Sequence, residues 1–234
     1  MHTCIVYDRR RDFSNHDIEF VEQEEWPHKW EKSVVYYDVL NTTKGLSQKQ
    51  LRIALNVTMT TWDIEIPVTF KPTWWFGQTA DITIEFKSPD EDRLFKDKPG
   101  VLAYAYFPGQ GSVSGKIVFN SAYIWTLHGR SIRAEDAKRL GLIDNFVNPD
   151  NLIRTYNIIH VLIHELGHSL GLRHDATGNQ DGKDVMDAFY DGKTLDLSPR
   201  DIYRIRKIYG VRIFTHWSRY ERLKRWLRKR VRRF

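Results

Sequence analysis

From Lys32 onward the chain gathers Val, Ile, Phe and Tyr into short runs separated by Gly, Pro, Asn or Asp. The runs Val34 to Val39, Val68 to Phe70, Ile82 to Phe86, Leu102 to Phe107 and Ile117 to Phe119 have the length and residue types of strands. Three other stretches repeat their apolar residues every three to four positions, which is the period of a helix with one buried face. The first is capped by Ser47 and carries Leu51, Ala54, Leu55, Thr58 and Trp62. The second is expected to begin near Asp150 or Asn151 and to align Leu152, Tyr156, Ile159, Ile163, Leu166 and Leu170. The third has Ser198 as cap, Pro199 in its first turn and Gly210 beyond Tyr209, with Ile202, Ile205 and Ile208 inward. Five strands and three helices that do not strictly alternate predict an α+β layer structure.

Charge and composition refine this picture at its two ends. Of 234 residues, 36 are basic and 30 acidic, a net +6. The last 24 residues alone hold 10 Lys/Arg and 1 acid, so the tail carries +9 and the rest of the chain −3. Attraction to phosphate or acidic surfaces is therefore a property expected of the tail and not of the fold. In that tail Trp217, Tyr220, Leu223, Leu227 and Val231 recur at helical spacing among Arg and Lys, the pattern of a basic amphipathic helix. Such a helix can dock on its own domain, lie on an anionic membrane or follow a nucleic-acid backbone.

At the other end, residues 1–28 combine Arg9, Arg10 and Arg11 with a cluster of acids and show no sustained period, which reads as an arm or short pro-segment. The apolar run Cys4 to Tyr7 is too short for the apolar region of a signal peptide. A single cysteine excludes an internal disulfide. No segment approaches the roughly 18–20 consecutive apolar residues of a membrane-spanning helix.

The chemistry lies in the second helix, in His164-Glu165-Leu166-Gly167-His168-Ser169-Leu170-Gly171-Leu172-Arg173-His174. Two histidines four apart stand on one helical face and can reach one ion. Gly171 is a residue at which the chain can leave the helix through a positive φ, returning His174 as a third ligand. Three neutral imidazoles leave a tetrahedral Zn2+ one open position. Glu165 points to a different side of the helix, where it can take a proton from a water as that water attacks a carbonyl.

This motif followed by Met186 resembles the metzincin signature, and residues 29–210 resemble the catalytic domain of matrix metalloproteinases, the matrixins. Leu102-Ala103-Tyr104-Ala105-Tyr106-Phe107-Pro108-Gly109 and the closing Ile208-Tyr209-Gly210 carry further likeness. The resemblance implies a metzincin fold, a twisted and mostly parallel five-stranded sheet with three helices and an active-site cleft. It implies zinc on His164, His168 and His174, with Glu165 as general base and acid and Met186 in a turn beneath the metal. Leu102 and Ala103 would offer an edge strand to an extended peptide, and the segment from Met186 through Ala188 to Tyr190 would line the pocket for the residue after the scissile bond. It also implies a monomeric, extracellular endopeptidase acting on proteins or peptides, those of the extracellular matrix among them.

Departures from the family pattern limit what is carried over. Tyr104 and Val118 stand at two histidine positions of the family's structural zinc site, so that second zinc is expected to be missing. Asn120 and Tyr123 replace acids that help to bind Ca2+, leaving Asp90, Glu91, Asp92 and Asp97 as possible ligands. About residues 126–151 form an insertion in which Arg133 to Leu142 reads as an extra helix. Asp175 replaces the usual serine after the third histidine. Cys4 invites comparison with the cysteine switch but lacks its flanking motif, so an inert thiol is expected. A competing reading is an inactive metzincin-like module that binds membranes or nucleic acid through its tail.

Overall fold

A computed structural model describes residues 3–8, 26–143, 148–174, 184–190, 192, 194–214, 222, 223, 225, 226 and 229, with no side-chain detail for 3–8. The strands are β1 (Thr3–Asp8), β2 (Val34–Val39), β3 (Thr69–Pro72), β4 (Ile82–Lys87), β5 (Val101–Tyr106), β6 (Lys116–Asn120), β7 (Trp125–Thr126), β8 (Ile132–Arg133), β9 (Leu152–Ile153), β10 (Tyr156–Asn157) and β11 (Phe189–Tyr190). The helices are α1 (Gln48–Asp63), α2 (Thr73–Phe76), α3 (Arg93–Asp97), α4 (Ala134–Arg139), α5 (Ile158–Ser169) and α6 (Pro199–Tyr209).

The five expected strands form a sheet in the order β5-β6-β4-β2-β3. Pairing is parallel throughout except at β5, which runs antiparallel to β6. With the three long helices α1, α5 and α6 this is the α+β arrangement of a metzincin domain. Two elements that patterning did not reveal extend the sheet to seven strands, β1 beside β5 and β11 outermost. The expected arm over 1–28 thus contains a strand; residues 9–25 lie outside the described part.

One core joins sheet and helices. Trp62 of α1 is fully buried, and its indole N–H donates to Ile163 O at 3.1 Å, tying α1 to α5. Ser47 and Gln50 form a capping box on α1, and Ser198 and Asp201 form another on α6, each satisfying two end N–H groups.

The expected start of the second helix near Asp150 is corrected: α5 begins at Ile158. Leu152 and Ile153 pair with Ile132 and Arg133, and Tyr156 and Asn157 pair in parallel with Trp125 and Thr126. Tyr156 also packs its ring edge-on to Tyr123 and tilted against Trp125 and Tyr190. Long-range pairing with the insertion overrides a periodicity that continues through this stretch by coincidence. Asn157 then caps α5, its Oδ1 accepting from Ile159 N and His160 N. Within residues 126–151, the helix expected over Arg133 to Leu142 is the shorter α4.

The tail enters the described residues in part. Arg222, Leu223, Arg225, Trp226 and Lys229 are helical. Leu223 and Trp226 pack half-buried on the main core, while Arg222, Arg225 and Lys229 are exposed. Trp217, Tyr220, Leu227 and Val231 lie outside the described residues, as do Asp175 and residues 176–183.

Candidate metal centre

His164 and His168 lie one turn apart on α5, fully buried, and the chain turns at Gly171 with φ 104°. That left-handed conformation is open to glycine and strained for other residues. It brings His174 back, so that one ring nitrogen from each of the three histidines falls within 4.8 Å of the others. The ring Nε2 of His164 is 2.8 Å from that of His168 and 3.2 Å from that of His174.

Which nitrogen carries the proton follows from the other side of each ring. His164 Nδ1 meets Val185 O at 2.6 Å, and His168 Nδ1 meets Leu172 O at 2.6 Å. A carbonyl only accepts, so both Nδ1 atoms are N–H donors and both Nε2 atoms direct lone pairs at each other. Two lone pairs directed at each other at this distance suit a cation held between them. A zinc ion would take nitrogens about 3.3 Å apart, which matches the His164–His174 pair and would ask the His164–His168 pair to open by about half an ångström. The donor set fits that ion.

Burial keeps the rings neutral and ready to ligate. Desolvation, followed by the charge of neighbouring histidines, depresses His164 and His168 well below the ordinary histidine value. His174 is lowered to about 4 by desolvation and then by the charge of Arg204. Glu165 is fully buried, and neither carboxylate oxygen has a hydrogen-bond partner among the described residues. Desolvation raises its pKa well above the usual carboxylate value.

Met186 is fully buried. It lies against the glycine of the motif: a Cβ on Gly167 would come 2.4 Å from Met186 Sδ and 3.1 Å from the Trp62 ring. Gly167→Ala is therefore expected to destabilise the domain by about 1–3 kcal/mol through overpacking, read from urea unfolding. Tyr190 sits in β11 with its hydroxyl accepting from Asn157 N at 2.8 Å, which ties the Met186 segment to the start of α5. Ala188 is half-buried just before β11. Leu102 and Ala103 are fully buried in β5, and their strand edge is covered by β1.

Sequence patterning missed Asp201, which is fully buried and accepts from Val185 N at 2.9 Å and Ser198 N at 3.0 Å through one oxygen. Val185 is the residue whose carbonyl meets His164 Nδ1, so Asp201 holds the partner of that imidazole in place. The Ser-x-x-Asp spacing of the α6 capping box was the available signal. Asp201→Ala leaves two backbone N–H groups without acceptors and is expected to cost about 2–3 kcal/mol, while Asp201→Asn, which keeps one oxygen in place, retains most of the stability; thermal unfolding of both variants checks this.

The remaining sequence candidates do not gather at the centre. Tyr104 and Val118 pack with Phe95 and Val101 in a second apolar cluster, and the Tyr104 hydroxyl donates to Asp92 Oδ2 at 2.7 Å. Asp92 also caps α3 by accepting from Leu94 N, Glu91 accepts from Ser88, and Asp97 pairs with Arg93. Among the described residues these acids do not converge as a donor set, whereas the three histidines do.

A mostly parallel five-stranded sheet, three long helices and a His-Glu-x-x-His helix returned by glycine to a third histidine define a metzincin-type domain. The sequence model of the matrixin peptidase family matches residues 29–210, and the chain belongs to that family. It is 32% identical to human matrilysin over 189 residues, covering 79% of this chain and 60% of matrilysin. Mouse matrix metalloproteinase-16 is 29% identical over 217 residues, covering 88% of this chain and 32% of that protein. Human neutrophil collagenase is 30% identical over 188 residues, covering 78% and 34%. The chain thus spans 60% of matrilysin and about a third of the other two.

Proposed function

We propose that this chain is a zinc-dependent metalloendopeptidase in which His164, His168 and His174 hold one catalytic ion and Glu165 moves the proton. The observation that carries the reading is the convergence of one ring nitrogen from each of three histidines beside a buried carboxylate that has no hydrogen-bond partner among the described residues. A zinc ion held there supplies Lewis acidity toward a water nucleophile and a peptide carbonyl. Glu165 accepts the proton of the attacking water and delivers it to the departing amine. Val185 O and Leu172 O hold two of the imidazoles in the tautomer that ligates.

The β5 edge at Leu102 and Ala103 and the segment from Met186 through Ala188 to Tyr190 would hold an extended protein or peptide substrate by main-chain hydrogen bonds. Buried Tyr104 and Val118 offer no imidazole at the second metal position, which supports a single zinc. The half-buried Leu223 and Trp226 favour a tail docked on its own domain over one inserted in a membrane.

Casein hydrolysis by the zinc-loaded protein, its loss with a chelator and its return with added zinc test the function. A protein that binds one zinc per chain and cleaves neither casein nor a peptide library would be the inactive module instead.

A further inference from the structure

A cavity of about 340 Å3 lies between one flank of α1 and the elements β2, β3 and α2. These strands close the end of the sheet opposite β5 and β11, so the cavity is separate from the histidine centre, whose helix packs on β5. Leu55, Met59 and Phe70 give it an apolar floor, and Tyr37, Trp74 and Trp75 give it aromatic walls. Tyr37 meets Trp74 edge-on, with ring centroids 5.7 Å apart and planes at 89°. Trp74 is 44% exposed and Trp75 74%. Adjacent exposed aromatics over a cavity, rimmed by polar side chains, form the kind of patch that marks a binding surface.

The polar groups around this patch are mostly donors. Tyr37 is only 7% exposed, yet its hydroxyl has no hydrogen-bond partner among the described residues. Burial pushes this phenol up to about 12, so it keeps its proton and remains a donor at neutral pH. The indole N–H groups of Trp74 and Trp75, the Asn56 amide and the exposed Arg52 guanidinium are likewise without side-chain partners among the described residues. Indole and guanidinium groups only donate. Asp63, the carboxylate on the cavity, is engaged, its Oδ1 accepting from Arg212 at 2.8 Å. A ligand suited to this surface therefore brings acceptors, a negative charge for Arg52 and flat apolar rings. A sugar brings as many hydroxyl donors as acceptors. A proline-rich segment brings carbonyls without N–H groups, and its rings pack between aromatic side chains. Its polyproline II form is preset, so little chain entropy is lost on docking. The lining on α1 runs from Arg52 to Asp63, about 16 Å of helix, a length that about five residues of polyproline II cover.

We propose that this groove docks a proline-rich segment of another polypeptide in the polyproline II conformation. Its rings seat among Tyr37, Trp74 and Trp75, its carbonyls accept from the Tyr37 hydroxyl and an indole N–H, and an acidic residue beside the prolines pairs with Arg52. The inference is independent of the proteolytic reading, because it uses none of the residues of the metal centre.

The test uses the full chain loaded with zinc and follows the anisotropy of a dye-labelled peptide of six prolines flanked on each side by aspartate. A Gly-Ser peptide of the same length with the same flanks controls for charge, and cellohexaose tests the sugar alternative. The proline peptide is expected to bind saturably and at least about tenfold more tightly than the Gly-Ser peptide, since its conformation is preset. Trp75→Ala and Arg52→Glu are each expected to weaken it about tenfold or more, the scale of an aromatic or arginine anchor. Tyr37→Phe, which keeps the ring and removes the donor, is expected to weaken it about threefold or more. Zinc content and melting temperature stay at wild-type values in Trp75→Ala and Arg52→Glu, whose side chains are exposed. Equal affinity for the proline and Gly-Ser peptides, or unchanged affinity in Trp75→Ala or in Arg52→Glu, overturns the proposal. Cellohexaose that binds more tightly than the proline peptide and displaces it also overturns it, and makes the aromatic walls a sugar platform. Should Tyr37→Phe lose its cooperative melt, the two exposed-site variants decide alone.

Discussion

Glu165→Gln is expected to lower kcat for peptide hydrolysis by about 10²- to 10⁴-fold, the range spanned by a positioned general base, while leaving zinc content and KM close to wild type. The substitution keeps the shape of the side chain and removes its ability to accept a proton. A second readout separates lost chemistry from lost fold. The Glu165 carboxylate is fully buried without a hydrogen-bond partner among the described residues, so its ionised form is costly and its pKa is driven well above the ordinary range by desolvation. A neutral amide relieves that cost, and the variant is expected to melt at the wild-type temperature or above it. A residue whose removal stabilises the protein while abolishing turnover is held for function and not for structure. Activity within threefold of wild type in the glutamine variant would take the proton-transfer role away from Glu165.

What could be read in the sequence and what could not divide along contact range. The strands β2, β4 and β6 were legible as runs of Val, Ile, Phe and Tyr between turn residues, and the helices α1 and α6 because each combines its own period with its own cap, Ser47 and Ser198. The convergence of the three histidines was legible because two share one helix and the third follows a glycine only a few residues later. The start of α5 was not, since it is fixed by pairing of Tyr156 and Asn157 with Trp125 and Thr126, some thirty residues upstream in the chain. For the same reason β1 was missed: six residues without a distinctive period become a strand only because β5 and β11 offer them backbone partners. Asp201 escaped notice because its tie to Val185 spans two loops, and no local pattern marks that the carbonyl of Val185 will meet His164.

Removing zinc is expected to lower the melting temperature of the protein by roughly 8–16 °C. An ion present at about a thousandfold over its dissociation constant stabilises the folded state by about 4 kcal/mol, provided the unfolded chain does not bind it. For a domain of this size each kcal/mol shifts the midpoint by about 2–4 °C. The structural reason is local. Without the ion, the Nε2 lone pairs of His164 and His168 face one another at 2.8 Å in a buried site, with His174 Nε2 3.2 Å from that of His164. The metal-free protein is also expected to weaken as pH falls from about 6.5 toward 4. The unfolded chain takes up protons at histidine's ordinary value, while the folded chain resists until His174 titrates at about 4, so protons favour unfolding across that window. Protonation competes with the metal in the same direction, and zinc release should accompany the acid limb of activity. His168→Ala should reproduce both effects at neutral pH, with less than about a tenth of an equivalent of zinc retained after dialysis against chelator. A wild-type melting temperature that moves by less than 2 °C on chelation, or a His168→Ala protein that keeps a full equivalent of zinc, would remove the three-histidine centre from this fold and the peptidase reading with it.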